Sequence, residues 1–205
     1  MILYVESNFP LELARVQEET AEVEELLKLA EARAVTLVFP AIAITEPFST
    51  LDRYGSERAR FLQTLNTQLS DLARSQPHQP LVANLNPLIP TLTSMRKDET
   101  DRLESAAARM LNCGEPIHIT AAIFARARQA EIAFDMSPQD AIVFASLMHH
   151  LDTRTKTDGA PPDCFVSRNS KDFAIAKAEF TARHCESKPR FSAALGYVKA
   201  NIQAP

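Results

Sequence analysis

The sequence has few of the features that mark several common classes of protein. Its 205 residues include only four glycines, and none of them forms a glycine-rich loop that could cradle a phosphate group. No apolar run is long enough to cross a bilayer, and no basic segment precedes an apolar one at the N-terminus. We therefore expect no P-loop, no membrane span and no signal peptide.

The sequence also has few cysteines and no excess of positive charge. The three cysteines, Cys113, Cys164 and Cys185, are far apart and odd in number, which argues against a disulfide framework or a CxxC metal site and favours a reducing cytoplasm. The formal net charge of −4 gives no basic footprint of a general nucleic-acid binder. A group of metal-binding carboxylates would itself add negative charge, so this balance is only weak evidence against a role in binding nucleic acid.

Short apolar runs alternate with longer helical patterns along the chain. Residues 1–5, 35–39 and 164–166 are the clearest apolar runs, as expected for strands that are buried on both faces of a parallel sheet. The segments between them carry apolar residues three and four apart, which predicts helices. Because 45% of the residues are apolar, the chain can bury a sizeable core. We predict an α/β fold with a central parallel sheet.

The helical patterns also suggest how the chain is divided. Residues 53–74 and 97–111 are predicted helices, and residues 75–90, rich in Pro and Asn, are a predicted loop or linker between them. We therefore predict a single domain over residues 1–190 with a helical insertion around residues 53–111. Residues 191–205 are predicted to form a C-terminal helix and tail.

Polar side chains follow the predicted strands at the points where the strands end. Glu6 follows the first strand, Glu46 lies about a turn and a half into the helix after the second, and Asn169 and Asp172 follow the strand at residues 164–166. Asp140 lies in the first turn of a helix that must start beside the sheet. Because ligands bind outside the carboxyl ends of the strands in such sheets, we expect these residues to share a cleft.

Several carboxylates in one cleft need a counter-charge. Two carboxylates 4 Å apart repel by roughly 4 kcal/mol at an effective dielectric constant near 20, so either their pKa values rise or a divalent cation neutralises them. Oxygen ligands without a convincing His or Cys favour a hard ion such as Mg²⁺ or Mn²⁺. Simpler explanations remain open: Glu46 as a surface charge, Asp140 as a charge that complements the helix dipole, and Asp172 as a turn cap.

Four motifs in this order resemble those of PIN-domain ribonucleases. They are Tyr4-Val-Glu6-Ser-Asn8, Pro40 with Glu46-Pro47, Ser137-Pro-Gln-Asp140-Ala-Ile-Val, and Phe165-Val-Ser167-Arg-Asn169-Ser-Lys-Asp172-Phe. The resemblance implies a three-layer α/β/α fold with strand order 3-2-1-4-5. It also implies cleavage of RNA, usually single-stranded, with the help of Mg²⁺ or Mn²⁺.

The resemblance assigns roles to individual residues and suggests partners. It implies catalytic or metal-binding roles for five residues and supporting roles for two more: Glu6, Glu46, Asp140, Asn169 and Asp172, supported by Asn8 and Ser167. Five basic residues lie near these motifs: Arg53, Arg58, Arg60, Arg168 and Lys171. Arg168 and Lys171 flank Asn169 and are the better candidates for contacts with RNA phosphates. The family implies a homodimer and, for its toxin members, an antitoxin protein. This chain is longer than the compact toxin members, so its role as a toxin is left open.

Two departures from the family pattern keep a second hypothesis open. Glu6 stands where the family usually has Asp, and the extra methylene moves the carboxylate by roughly 1–1.5 Å. Asn169 replaces a fourth acid. The main hypothesis is a metal-dependent ribonuclease, and the alternative is a catalytically weak module that binds RNA or a protein partner. A small-molecule phosphatase is disfavoured because the first strand has no Asp-x-Asp pair.

Overall fold

Short apolar runs form the strands of a five-stranded parallel sheet in this computed structural model, which describes residues 1–155, 159–169, 173–174 and 176–202. The strands are β1 (Ile2–Val5), β2 (Thr36–Pro40), β3 (Glu115–Ile117), β4 (Asp163–Val166) and β5 (Cys185–Lys188). Every neighbouring pair is parallel, and the order is β3-β2-β1-β4-β5. The predicted fold class and strand order are confirmed.

Helices cover both faces of this sheet. They are α1 (Asn8–Arg15), α2 (Thr20–Glu31), α3 (Ile42–Leu72), α4 (Gln79–Leu85), α5 (Leu88–Cys113), α6 (Ala121–Phe134), α7 (Pro138–Thr153), α8 (Lys177–Ala182) and α9 (Phe191–Asn201). Because side chains alternate along a strand, Leu3 and Val5 face a core with α1, α2 and α9, whereas Tyr4 faces a core with α6 and α7. All three cysteines are buried and carry free thiols. Among the described helices, none combines the length and the apolar character that crossing a membrane requires.

The strand register sets which residues meet at the carboxyl edge of the sheet. Val5 pairs with Val166, so Glu6 and Ser167 are the first residues beyond their strands. On the other side Tyr4 pairs with Val38, which brings the end of β2 level with Glu6. The central position of β1 therefore brings Glu6 close to the elements that follow both β2 and β4.

The region predicted as a helical insertion is more continuous than the sequence suggested. The helix expected from residue 53 is the second half of α3, and the prediction of a loop over residues 75–90 is wrong for α4 and for the start of α5. Proline is tolerated in the first turn of a helix because its missing N–H is not needed there, so Pro80 begins α4 instead of interrupting it. A buried ion pair between Arg58 and Glu99, with an N···O distance of 3.1 Å, joins α3 to α5.

Candidate active site

The carboxyl edge of the sheet opens into a cleft of about 460 Å³. Its walls come from the turn after β1 and the start of α1, the first half of α3, the first two turns of α7, and the turn after β4. Six of the residues predicted from the sequence line it: Glu6, Asn8, Glu46, Asp140, Arg168 and Asn169. Ser167 lies next to the cleft, at the end of β4, whereas Lys171 and Asp172 are outside the described residues.

Glu6 is the most deeply placed carboxyl group of the cleft, only 7% exposed. The backbone N–H of Asn8 donates to its Oε2 at 3.0 Å, and the Asn8 side-chain amide donates to its Oε1 at 2.7 Å. Burial nevertheless raises the pKa of Glu6 to about 7, because the loss of hydration outweighs the hydrogen bonds from Asn8 and Ser167. The negative charge of Glu46 acts in the same direction.

Glu46 reaches the cleft from α3, four residues after the first residue of that helix. The Ser7 hydroxyl donates a hydrogen bond of 2.5 Å to Oε2 of Glu46 and so ties α3 to the turn after β1. Sequence reasoning missed Ser7, since strand alternation places it opposite to Glu6. The backbone turns at this residue, with φ −55° and ψ −26°, so alternation no longer applies.

Asp140 and Asn169 are joined across the cleft. Ser137 caps α7 by accepting the N–H of Asp140, and its hydroxyl donates to Oδ2 of Asp140 at 2.5 Å. The Asn169 side-chain amide donates to Oδ1 of Asp140 at 3.1 Å, and its backbone N–H donates to the Ser167 hydroxyl at 3.0 Å. The turn after β4 is thereby aligned with the first turn of α7.

Arg168 lines the cleft, but its guanidinium group is engaged with α1 and the segment after it. Its Nη1 donates to Glu12 at 2.7 Å and to Glu18 at 3.2 Å. Glu12 is only 1% exposed, and it also accepts the backbone N–H of Glu19 at 2.7 Å. The bond with Glu12 raises the pKa of Arg168. In this arrangement Arg168 neutralises a buried carboxylate, a role that sequence reasoning did not suggest.

The outer wall of the cleft is formed by residues of α3, and sequence reasoning connected only Arg53 among them to the acids, as one of several basic residues near the motifs. Thr50, Arg53 and Tyr54 extend the lining along α3 from Glu46. The spacing of four, seven and eight residues after Glu46 is that of one face of a helix, so this pattern could have identified them.

The acidic and amide oxygen atoms of the cleft are chemically suited to bind a hard divalent cation, although they are not gathered around one point. Within the described parts of the chain, no three His, Cys, Asp or Glu side chains form a group that could hold a metal ion. Glu46 and Asp140 instead bind the hydroxyl of Ser7 and the amide of Asn169. Glu6 is buried with no salt bridge to a described basic side chain, and a buried carboxylate without such a partner is costly. All of these ligand atoms would be oxygens, which Mg²⁺ and Mn²⁺ prefer. The residues fit such an ion if Glu46 releases the Ser7 hydroxyl and Asp140 releases the Asn169 amide.

Comparison with known proteins identifies the family of this chain. A family model for the PIN domain matches residues 3–173, which include every cleft residue named above. No curated protein and no solved structure matches the chain significantly. Because the family model covers well over half of the sequence, this chain belongs to the PIN-domain family, whose members are generally nucleases that use divalent metal ions.

Proposed function

We propose that this protein is an endoribonuclease that hydrolyses phosphodiester bonds of single-stranded RNA with the help of bound Mg²⁺ or Mn²⁺. The observation that carries the proposal is the arrangement of Glu6, Glu46 and Asp140. These acids come from three separate elements and line one cleft at the carboxyl edge of the sheet. The burial of Glu6 without a described cationic partner supports it further.

Each polar group of the cleft has a role in this proposal. The metal would be held by carboxylates and one amide carbonyl, those of Glu6, Glu46, Asp140 and Asn169, together with Asp172 from the motif after β4. When bound, such an ion polarises a phosphodiester and lowers the pKa of a coordinated water. Glu46 and Asp140 face the open cleft, so either carboxylate can accept a proton from the attacking water.

The supporting residues orient these acids. Asn8 holds the carboxyl group of Glu6 with two hydrogen bonds, so the longer side chain that departs from the family pattern is matched by its surroundings. Ser167 supports the same group from β4 and also fixes the backbone of Asn169. Arg168 and Lys171 remain proposed phosphate contacts, and Arg168 would have to leave Glu12 in order to reach RNA.

A second candidate function is a PIN-like module that binds RNA or a protein partner without efficient cleavage. The observation that favours it is the absence of a preassembled three-carboxylate group among the described residues. Asn169 in place of an acid also lowers the negative charge that would hold an ion.

A cleavage assay separates the two functions. Purified protein is incubated with end-labelled single-stranded RNA and Mg²⁺ or Mn²⁺, or with EDTA, beside the variants Asp140→Asn and Asp98→Asn. Asp98 is an exposed carboxylate on α5, outside the cleft, and is the matched control. We expect cleavage that needs metal, is lost in Asp140→Asn and is retained in Asp98→Asn. Equal, metal-independent cleavage by all proteins would contradict the proposal, and metal-insensitive RNA binding without cleavage would favour the module.

The proposal also covers the cellular location of the protein and its protein partners. Free, buried cysteine thiols suit a reducing cytoplasm. The family resemblance adds a homodimer, which light scattering after size exclusion would test. A small neighbouring reading frame whose product binds the protein would support an antitoxin partner.

A further inference from the structure

The cleft continues along α3 beyond the acidic residues. Glu46, Thr50, Arg53 and Tyr54 all line it, and their spacing places them on one face of the helix. With a rise of 1.5 Å per residue, Arg53 lies roughly 10 Å farther along the helix axis than Glu46. The lining therefore changes from acidic at the sheet edge to basic and aromatic at the outer wall.

Tyr54 brings two guanidinium groups to this outer wall. The Cζ atom of Arg53 lies 5.1 Å from the centroid of the Tyr54 ring, and that of Arg15, at the end of α1, lies 4.7 Å away. The ring itself is packed against a small apolar cluster that includes Leu51 and Leu103. Cations are attracted to the face of such a ring, so the position of Arg53 is set by a fixed aromatic group.

Arg53 differs from Arg168 in the groups that surround it. Arg168 is bonded to Glu12 and Glu18. Arg53 is exposed, and no carboxylate of the described residues lies within 4.0 Å of its guanidinium nitrogens. Its neighbour Asp52 is paired instead with Arg96 at 2.8 Å. Among the described basic residues that line the cleft, Arg53 is thus the one that is not paired with a carboxylate.

We propose that Arg53, positioned by Tyr54, binds the RNA backbone at a phosphate next to the one that reacts at the acidic residues. This inference rests on the proposed function, since RNA is the substrate of that same cleft. A guanidinium group presents paired N–H donors that match two phosphate oxygens. A phosphate contact of this kind fixes the register of the strand without reading its sequence. Arg53 is accordingly a binding residue, and Tyr54 is a positioning residue that acts through it.

The test measures binding apart from cleavage. Fluorescence anisotropy of a labelled single-stranded RNA is followed in Mg²⁺ at several salt concentrations, with every variant made in Asp140→Asn so that the RNA stays intact. Arg53→Ala is compared with Arg60→Ala, an exposed arginine seven residues farther along α3 and outside the cleft lining. We expect Arg53→Ala to weaken binding about 10-fold and Arg60→Ala by less than about 2-fold, because of these two arginines only Arg53 would donate charged hydrogen bonds to RNA.

The salt dependence distinguishes a phosphate contact from a structural effect. Removal of one phosphate contact with single-stranded RNA should reduce the steepness of the plot of log binding constant against log salt concentration by roughly 0.7. Arg53→Ala should therefore show a shallower slope than the parent. Arg53→Lys keeps the positive charge and should retain the parent slope. Tyr54→Leu should weaken binding without changing the slope, whereas Tyr54→Phe should match the parent. An Arg53→Ala protein that binds like Arg60→Ala overturns the proposal, as does a parent that does not bind RNA.

Failure of the Arg53 contact can be distinguished from failure of the ribonuclease proposal. If the unmodified protein cleaves RNA but Arg53→Ala binds like its control, only the Arg53 contact is wrong. If RNA binding depends on Arg53 but the unmodified protein cleaves nothing, the ribonuclease proposal is wrong and the Arg53 contact stands.

Discussion

Replacing Glu6 by Gln should stabilise the metal-free protein at high pH and not at low pH. The pKa of Glu6 is about 7 in the folded protein, against an ordinary value of 4.5 in an unfolded chain. Well below pH 4.5 the carboxyl group is protonated in both the folded and the unfolded state, so it does not affect folding stability. Between pH 4.5 and 7 the unfolded chain releases a proton that the folded chain keeps, so folding stability falls as the pH rises.

The magnitude follows from the same pKa values. Each tenfold change in an acid dissociation constant corresponds to about 1.4 kcal/mol, so ionised Glu6 costs the folded state about 3 kcal/mol above pH 7. The neutral amide of the Glu6→Gln variant would not carry this cost. It has one carbonyl oxygen, however, and cannot accept both hydrogen bonds from Asn8, which costs about 1 kcal/mol at any pH. We expect Glu6→Gln to be about as stable as the wild type at pH 5, where most of the unfolded chain has already released this proton, and about 2 kcal/mol more stable at pH 8.

Urea denaturation in EDTA, followed by circular dichroism, is the assay, because the chain has no tryptophan to report unfolding by fluorescence. Glu104→Gln, at an exposed carboxyl group on α5, is the control and should change stability by less than about 0.5 kcal/mol at either pH. A difference between the wild type and Glu6→Gln that is the same at pH 5 and pH 8 would refute the reasoning. Added Mg²⁺ or Mn²⁺ should favour the wild type, since a ligand that binds only the folded state stabilises it.

Other substitutions test the surroundings of the site. Glu6→Asp should lower metal-dependent RNA cleavage about 10-fold or more, because the shorter side chain draws the carboxylate away from its two amide donors; unchanged turnover would contradict this. Arg168→Ala should lower the free energy of unfolding by about 3 kcal/mol in urea titrations, because it leaves Glu12 buried without its partner, and a cost below about 1 kcal/mol would show that the pair is not structural. Gly114→Ala should cost about 1–3 kcal/mol and lower the Tm, because its new Cβ would lie 2.8 Å from the ring of Phe39; an unchanged Tm would mean that the ring moves freely.

Local patterns were sufficient for the three central strands of the sheet and for the elements that bear the acids, whereas the strand order came from the family resemblance. Continuous apolar runs identified β1, β2 and β4, and the residues at their ends could be assigned to one edge because parallel strands share a direction. The prediction that Asp140 lies in the first turn of a helix is confirmed by α7, which Ser137 caps. These features depend on neighbours in the sequence, which is why they could be predicted.

Features that depend on partners distant in the sequence could not be predicted. Arg168 was expected to face RNA, but it contacts Glu12, which is 156 positions away. Ser7 contacts Glu46 only because the chain turns directly after β1. The role of prolines was misjudged for a different reason, since the same residue begins a helix or ends one depending on where the first turn lies.

The central position of β1 has a consequence for the order in which the protein folds. Leu3 pairs with Cys164, so β1 is synthesised long before one of its two neighbours in the sheet. At roughly 5–20 residues per second, that interval is on the order of 10 seconds of translation. Glu6 and Asn169 can share a cleft only after β4 has been made, and a ribosome-bound chain that ends before β4 has no complete site. The cleft is therefore complete only after every element from β1 to β4 has been synthesised.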